Sequence, residues 1–300
     1  MGFGGGKVIL VGEHAVVHGV PAIAAGVRRG VTAIAQCAEE DSLHLEPWGR
    51  TFRPDASSDE PLARAFDRIL SSYRDRPPLR LDVRVDLPPG AGLGCSAALG
   101  VSLLDAVDKA LGVQRSRAAL GAVALEWERF FHGAPSGIDN IASAMGGVLC
   151  FRQGSPVRRI SPARALSLVV AHSGQPSNTK DMVALVSQQL AEHPAWARRM
   201  LDQVHALVLD AEIALRRGEI LALGRALDRN HRILRSLRLS TPRLEELCAA
   251  ARSAGALGAK ITGAGGGGCI VALAGDSDHA IRIADSLDAE SFVEEVSSAA

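Results

Sequence analysis

Leu87-Pro88-Pro89-Gly90-Ala91-Gly92-Leu93-Gly94-Cys95-Ser96-Ala97-Ala98 sets three glycines at every second position between two patterned runs. Before it, Leu79, Leu81, Val83 and Val85 alternate with charged residues, the period of a half-buried strand. After it, an apolar helix is expected from about Ala97 to Leu111, with Gly112 as its stop. Glycines allow a backbone to close on a bulky anion, and the amides and dipole of a following helix favour negative charge. The stretch reads as a phosphate cradle, against the plainer reading of a flexible connection. It is not a Walker loop, because no Gly-Lys-Ser/Thr follows the glycines. A nicotinamide fingerprint would need an acidic residue ending a second strand some 20 residues on, where Arg115 to Arg117 read as helix or turn.

The 300 residues suffice for one large domain or two ordinary ones. An apolar content of 47% and a charged content of 22% describe a globular chain, and a net charge of zero argues against nucleic acid or acidic membrane surfaces as main partners. The longest charge-free run, Leu87 to Leu104, holds prolines and glycines and is no membrane span. The N-terminus lacks a basic segment followed by an apolar one. Cys37, Cys95, Cys150, Cys248 and Cys269 are odd in number and scattered, so they read as reduced thiols of a cytoplasmic protein. Only four of the 33 basic residues are lysine: Lys7, Lys109, Lys180 and Lys260. Where arginine serves as the generic cation, a retained lysine marks a place for a compact ammonium. Lys7, Lys180 and Lys260 each adjoin a glycine-rich or polar cluster, whereas Lys109 reads as a solvated helix residue.

In chain order, Gly4-Gly5-Gly6-Lys7 leads into an apolar strand, Val8 to Val11, that Gly12-Glu13-His14 interrupts. Taken singly, Glu13 reads as a helix cap and His14 as a hydrogen-bonded core residue; with Lys7 they read as a polar site. Segments 22–27, 31–36 and 42–46 are expected strands, with a turn at Arg29-Gly30, and Leu62 to Tyr73 an amphipathic helix. Ser116 caps a further helix that stops at Gly133. Glu126 and Glu128 lie near its C-terminus, where acid opposes the dipole and needs a cation, either a metal ion or Arg129. Asp139, behind Gly133-Ala134-Pro135-Ser136-Gly137, fits either a first-turn helix acid or a general base.

Beyond residue 146, strands are expected at 148–151, 166–171, 270–274 and 292–296 and helices at about 195–216, 219–235 and 277–289, so that from 166 onward the order reads β-α-α-α-β-α-β. Pro242 opens the remaining helix, and the polar run Ser173 to Lys180 reads as a loop. Lys260-Ile261-Thr262-Gly263-Ala264-Gly265-Gly266-Gly267-Gly268-Cys269 is a second glycine-rich segment, where something must approach the backbone closely.

Three segments in this order, Gly6 to Gly19, Pro89 to Ala98 and Lys260 to Cys269, make the chain resemble the GHMP kinase superfamily over nearly its full length. Gly12-Glu13-His14-Ala15-Val16-Val17-His18-Gly19, His132 to Asn140 and Ser177-Asn178-Thr179-Lys180 resemble its mevalonate kinase branch. The resemblance implies an α+β, two-domain fold. Residues 1–160 would form a ribosomal-protein-type β-α domain and residues 161–300 a ferredoxin-like domain, with the active site in the cleft between them. It implies ATP-dependent phosphorylation of the 5-hydroxyl of mevalonate in isoprenoid biosynthesis, with Mg²⁺.

By the same resemblance, Gly90, Ala91, Gly92, Leu93, Gly94, Cys95 and Ser96 would hold the triphosphate, and Ser96 and Glu128 the metal. Asp139 would take the hydroxyl proton while Lys7 stabilises that oxygen and the phosphoryl group. Glu13, His14, Thr179, Gly263, Ala264 and Gly265 would face the substrates. Relatives also suggest a homodimer. Cys95, Leu99 and the missing glycine near Arg238 depart from the family pattern. The alternatives are phosphomevalonate kinase, mevalonate diphosphate decarboxylase and a non-catalytic sensor. A phosphorylated acceptor should need cations beyond Lys7 around Glu13 and His14.

Overall fold

The computed structural model describes residues 1–88, 90–131 and 135–297. Pro89 of the first glycine-rich loop, the segment His132-Gly133-Ala134 and the helix stop expected at Gly133 lie outside the described residues. The chain forms two units that interleave in sequence. One comprises Met1–Gly6, Arg28–Leu87 and Gly94–Met145; the other comprises Lys7–Val27, Pro88–Leu93 and Gly146–Ala300. Two long strands, β1 (Gly2–Val11) and β2 (Ala22–Cys37), contribute residues to both.

In the first unit, β2 pairs antiparallel with β5 (Leu79–Val85), from Val31 opposite Val85 to Cys37 opposite Leu79. β3 (Ser42–Leu45) lies parallel to β5 and antiparallel to β4 (Arg50–Phe52). With them go α1 (Pro61–Leu70), α2 (Cys95–Ala110), α3 (Arg117–Glu128) and α4 (Ile138–Met145). The Ser116 side chain caps α3, accepting from the Ala119 amide at 3.2 Å, as its sequence position suggests.

Two readings of this region are corrected. β1 begins at Gly2, not Val8, because a Cβ at Gly2 or Gly4 would strike the backbone of α2; the early glycines let a strand lie against a helix. β2 is continuous through the turn expected at Arg29-Gly30. Gly30 is needed there because a Cβ would collide with the Gly4 carbonyl and the Phe3 ring, not because the chain reverses.

In the second unit, β2 pairs antiparallel with β6 (Val148–Phe151), and β6 with β7 (Arg158–Ile160). A separate four-stranded antiparallel sheet has the order β11-β8-β10-β9, from β8 (Leu166–His172), β9 (Gly258–Thr262), β10 (Cys269–Ala274) and β11 (Ser291–Val296). Helices α5 (Thr179–Glu192), α6 (Pro194–Arg217), α7 (Ile220–Ser236) and α8 (Pro242–Ser253) connect β8 to β9, and α9 (Ser277–Ser286) connects β10 to β11. This is the split β-α-β arrangement of ferredoxin-like units, as expected. α5 and β9 are additions to the sequence reading. Asn178 turns the polar run into a helix start by accepting from the Asp181 amide at 3.3 Å. β9 is buried throughout yet carries glycine and lysine, so it lacks a strand's usual composition. Among the described residues, no helix is long and apolar enough to cross a membrane.

Gly100 of α2 faces the buried Trp127 of α3, where an added Cβ would lie 2.5 Å from Cδ1 and 2.6 Å from Cγ of the indole. Overpacking of this kind costs about 1–3 kcal/mol. Gly100→Ala should therefore lower the unfolding free energy measured in urea by that amount, and an unchanged value would refute the close packing.

Candidate active site

The two glycine-rich segments meet within the second unit. Gly92 and Gly263 both adopt left-handed conformations, φ +74° and +85°. A Cβ on Gly263 would lie 2.8 Å from the Gly92 carbonyl oxygen, and one on Gly268 would lie 2.8 Å from that of Ala91. No side chain fits at those positions, which explains glycine there. Lys7, buried on β1, fastens this junction. Its Nζ donates to the Gly92 carbonyl at 2.8 Å and its amide to the Leu93 carbonyl at 2.9 Å. The Ser177 amide donates to the Gly90 carbonyl at 3.0 Å, and Ser177 Oγ to the Gly265 carbonyl at 2.6 Å. The Gly268 amide donates to the Gln175 carbonyl at 2.8 Å.

A further support comes from the end of α7. Arg238 takes a left-handed φ of +59°, its amide donates to the Arg235 carbonyl, and the Leu239 amide reaches back to the Leu234 carbonyl. This is the Schellman ending, with arginine where glycine is usual. It delivers the Leu239 carbonyl to the Gly266 amide at 2.7 Å. The missing glycine noted near Arg238 is therefore tolerated as local backbone strain beside the second glycine-rich loop.

The Gly12-Glu13-His14 turn ends β1 with φ of +107° at Gly12 and +60° at His14. His14 Nε2 lies 2.8 Å from the Ala264 carbonyl oxygen, so that nitrogen carries the proton and donates. Burial holds the ring's pKa below the ordinary histidine value, against the opposing pull of the Ala264 carbonyl. His14 thus ties the turn to the second loop as a neutral ring. Glu13 is equally buried: Oε2 accepts from Asn230 Nδ2 at 2.8 Å, and Oε1 pairs with Lys260 Nζ. Lys260, which adjoins the glycine-rich loop in sequence, lies in β9 and is fully buried. It is the second cation beside Glu13 that the sequence reading missed, as it missed Asn230 and Leu239. Thr179, at the start of α5, and Lys180 are exposed.

In the first unit, Gly94, with φ +76°, precedes α2, and Cys95 and Ser96 form its first turn. Ser96 Oγ donates to Glu128 Oε1 at 2.6 Å, and Trp127 Nε1 donates to the Ser96 carbonyl at 3.0 Å. Burial, reinforced by the Glu128 charge, pushes the Cys95 thiol up to about 11, so it is inert at neutral pH. Of the two acids near the end of α3, Glu126 pairs with Arg129, and the buried Glu128 accepts from Ser96. Among the described residues, no three His, Cys, Asp or Glu side chains converge as a metal cage. A hydroxyl and a carboxylate side by side do suit Mg²⁺, a hard ion that keeps waters and phosphate oxygens as its other ligands. Asp139 is half-buried in the first turn of α4.

Comparison with known proteins matches residues 61–147 to the GHMP kinases N terminal domain and residues 211–294 to GHMP kinases C terminal. A mevalonate kinase of Pyrococcus horikoshii is 36% identical, covering 89% of this chain and 86% of its own length. The chain belongs to the GHMP kinase family. A mevalonate kinase of Methanothermobacter thermautotrophicus is 37% identical over 89% of this chain and 87% of its own. The crystal structure of L. major mevalonate kinase in complex with R-mevalonate superposes with a TM-score of 0.87 at 29% identity, covering 99% of this chain and 96% of that one. Members of this family are ATP-dependent kinases, and this GHMP kinase carries their fold throughout.

A left-handed backbone disfavours side chains with a Cβ by about 1–2 kcal/mol, offset in part by the greater freedom of glycine in the unfolded chain. Arg238→Gly should therefore leave stability unchanged or raise it by up to about 1 kcal/mol in denaturant unfolding. A clear loss would mean that the Arg238 side chain, not its backbone, supports the loop.

Proposed function

We propose that this kinase transfers the γ-phosphoryl group of ATP to the 5-hydroxyl of mevalonate, in the cytoplasm and as a homodimer. The observation that carries the phosphoryl-transfer chemistry is the junction of Gly92 with Gly263, fastened by Lys7: bare backbone and an ammonium held together. The acceptor follows from the mevalonate kinases that the chain resembles over most of its length. The unpaired cysteines fit a reducing compartment.

Phosphoryl transfer needs positioning and charge neutralisation more than covalent chemistry from the protein. In this reading the amides from Gly90 to Ser96 bind the triphosphate. Ser96 Oγ and the Glu128 carboxylate hold Mg²⁺, which neutralises phosphate charge when bound. Asp139, as a carboxylate, accepts the proton of the acceptor hydroxyl as that oxygen attacks the γ-phosphorus and ADP departs. Lys7 stabilises the charge developing on the transferring group. Gly263, Ala264 and Gly265 line the phosphate and acceptor side with His14 and Thr179. The rival reading is a kinase for an already phosphorylated acceptor, which would need further cations. Lys260 does not supply one, because it is fully buried and its charge is taken up by Glu13.

A coupled assay with ATP and mevalonate, phosphomevalonate, homoserine or galactose tests the acceptor: turnover should be confined to mevalonate. No turnover on any of the four, with nucleotide binding intact, would instead mark a sensor. Asp139→Asn should lower kcat by at least about 100-fold and leave ATP affinity within a few-fold. Glu128→Gln should raise the Mg²⁺ concentration for half-maximal rate. Native kcat in Asp139→Asn would show that the base is another residue.

A further inference from the structure

Lys260 is a lysine with no exposed surface in a chain that elsewhere prefers arginine. Its ammonium has three N–H donors and three partners: the Ile9 carbonyl at 3.1 Å, the Ile261 carbonyl at 2.5 Å, and Glu13 Oε1. Glu13 is completed from the other side by Asn230 of α7. All three residues are buried, so their charges and dipoles depend on partners within the protein.

The elements joined are those that carry the candidate site's parts. Ile9 and Glu13 lie on β1 and its turn, two and six residues beyond Lys7. Lys260 lies on β9, three residues before Gly263. A second tie runs parallel to it, with Thr262 Oγ accepting from the Ile9 amide at 2.8 Å. His14, the neighbour of Glu13, holds Ala264 of the loop.

Resting on the kinase reading, we infer that Lys260 and Glu13 are a positioning pair, a buried ionic latch that sets the strand bearing Lys7 against the second glycine-rich loop. Glu13 then acts through Lys260 and does not bind the acceptor, a different role from the one that family resemblance implies. The groups facing Lys260 are Glu13 from the β1 turn, Cys248 from α8 and Lys7 from β1, with His231 of α7 also within its electrostatic reach. Among these, Glu13 is the residue both hydrogen-bonded to the ammonium and of opposite charge.

The test separates positioning from bulk stability. A buried ion pair replaced by apolar residues of similar volume commonly folds well. The double variant Lys260→Met/Glu13→Leu should therefore keep a melting midpoint close to wild type while its backbone ties are lost. Its kcat should fall at least about 30-fold, with KM for ATP and for mevalonate within about threefold. Glu13→Gln, which keeps the size of the side chain and an oxygen that can accept from Lys260, should show the same direction of loss in kcat, read on protein that circular dichroism shows to be folded at the assay temperature. Double or single variants with kcat within about threefold of wild type would overturn the inference. So would a loss confined to KM for mevalonate, since that would make Glu13 a substrate ligand. A wild-type protein inactive on every acceptor would remove the kinase reading itself, an outcome distinguishable from these.

Discussion

The candidate site depends on two backbones approaching more closely than side chains allow. Gly92 and Gly263 come from distant parts of the sequence, and the Gly92 carbonyl occupies the space that a Cβ on Gly263 would need. That contact is costly to hold, because glycine loses more conformational freedom on folding than any other residue. The surrounding hydrogen bonds offset the cost. Lys7 fastens Gly92, Ser177 fastens both Gly90 and Gly265, and Leu239 fastens Gly266. The resulting junction is backbone fastened by an ammonium, the setting that the proposed triphosphate site calls for.

Charge burial is the second constraint. Removing one member of a buried ion pair typically costs about 3–5 kcal/mol, because the remaining charge is stranded. Lys260 and Glu13 therefore tie their fates together, and through Ile9, Thr262 and His14 they transmit that bond to the ends of β1 and β9. In the first unit the oxygen pair of Ser96 and Glu128 follows a similar logic. Trp127, adjacent to Glu128 in sequence, donates to the Ser96 carbonyl, and the absence of a side chain at Gly100 makes room for its ring.

Much of this was legible in the sequence because its signals are local. The alternation ahead of the first loop, the glycines within it and the Ser116 cap each determine their own neighbourhood. What stayed hidden depends on distant partners. Gly30 has the composition of a turn but serves a close crossing with Gly4 and Phe3. β9 looks like loop because Gly258 and Lys260 answer to α7 and Glu13, not to strand propensity. Asn230 and Leu239 carry no chemical signature of their own, and only the fold brings them to Glu13 and Gly266. The scarcity of lysine did single out Lys260, although its charge turned out to face inward.

The most direct test is an amide-resolved NMR titration of the ¹⁵N-labelled protein with a non-hydrolysable ATP analogue and Mg²⁺. If the two backbones form one anion-binding surface, the amides of Gly90 to Leu93 and of Gly263 to Gly268 will shift together along a single binding isotherm. Shifts in the first segment alone, with the second unmoved at saturation, would contradict the account.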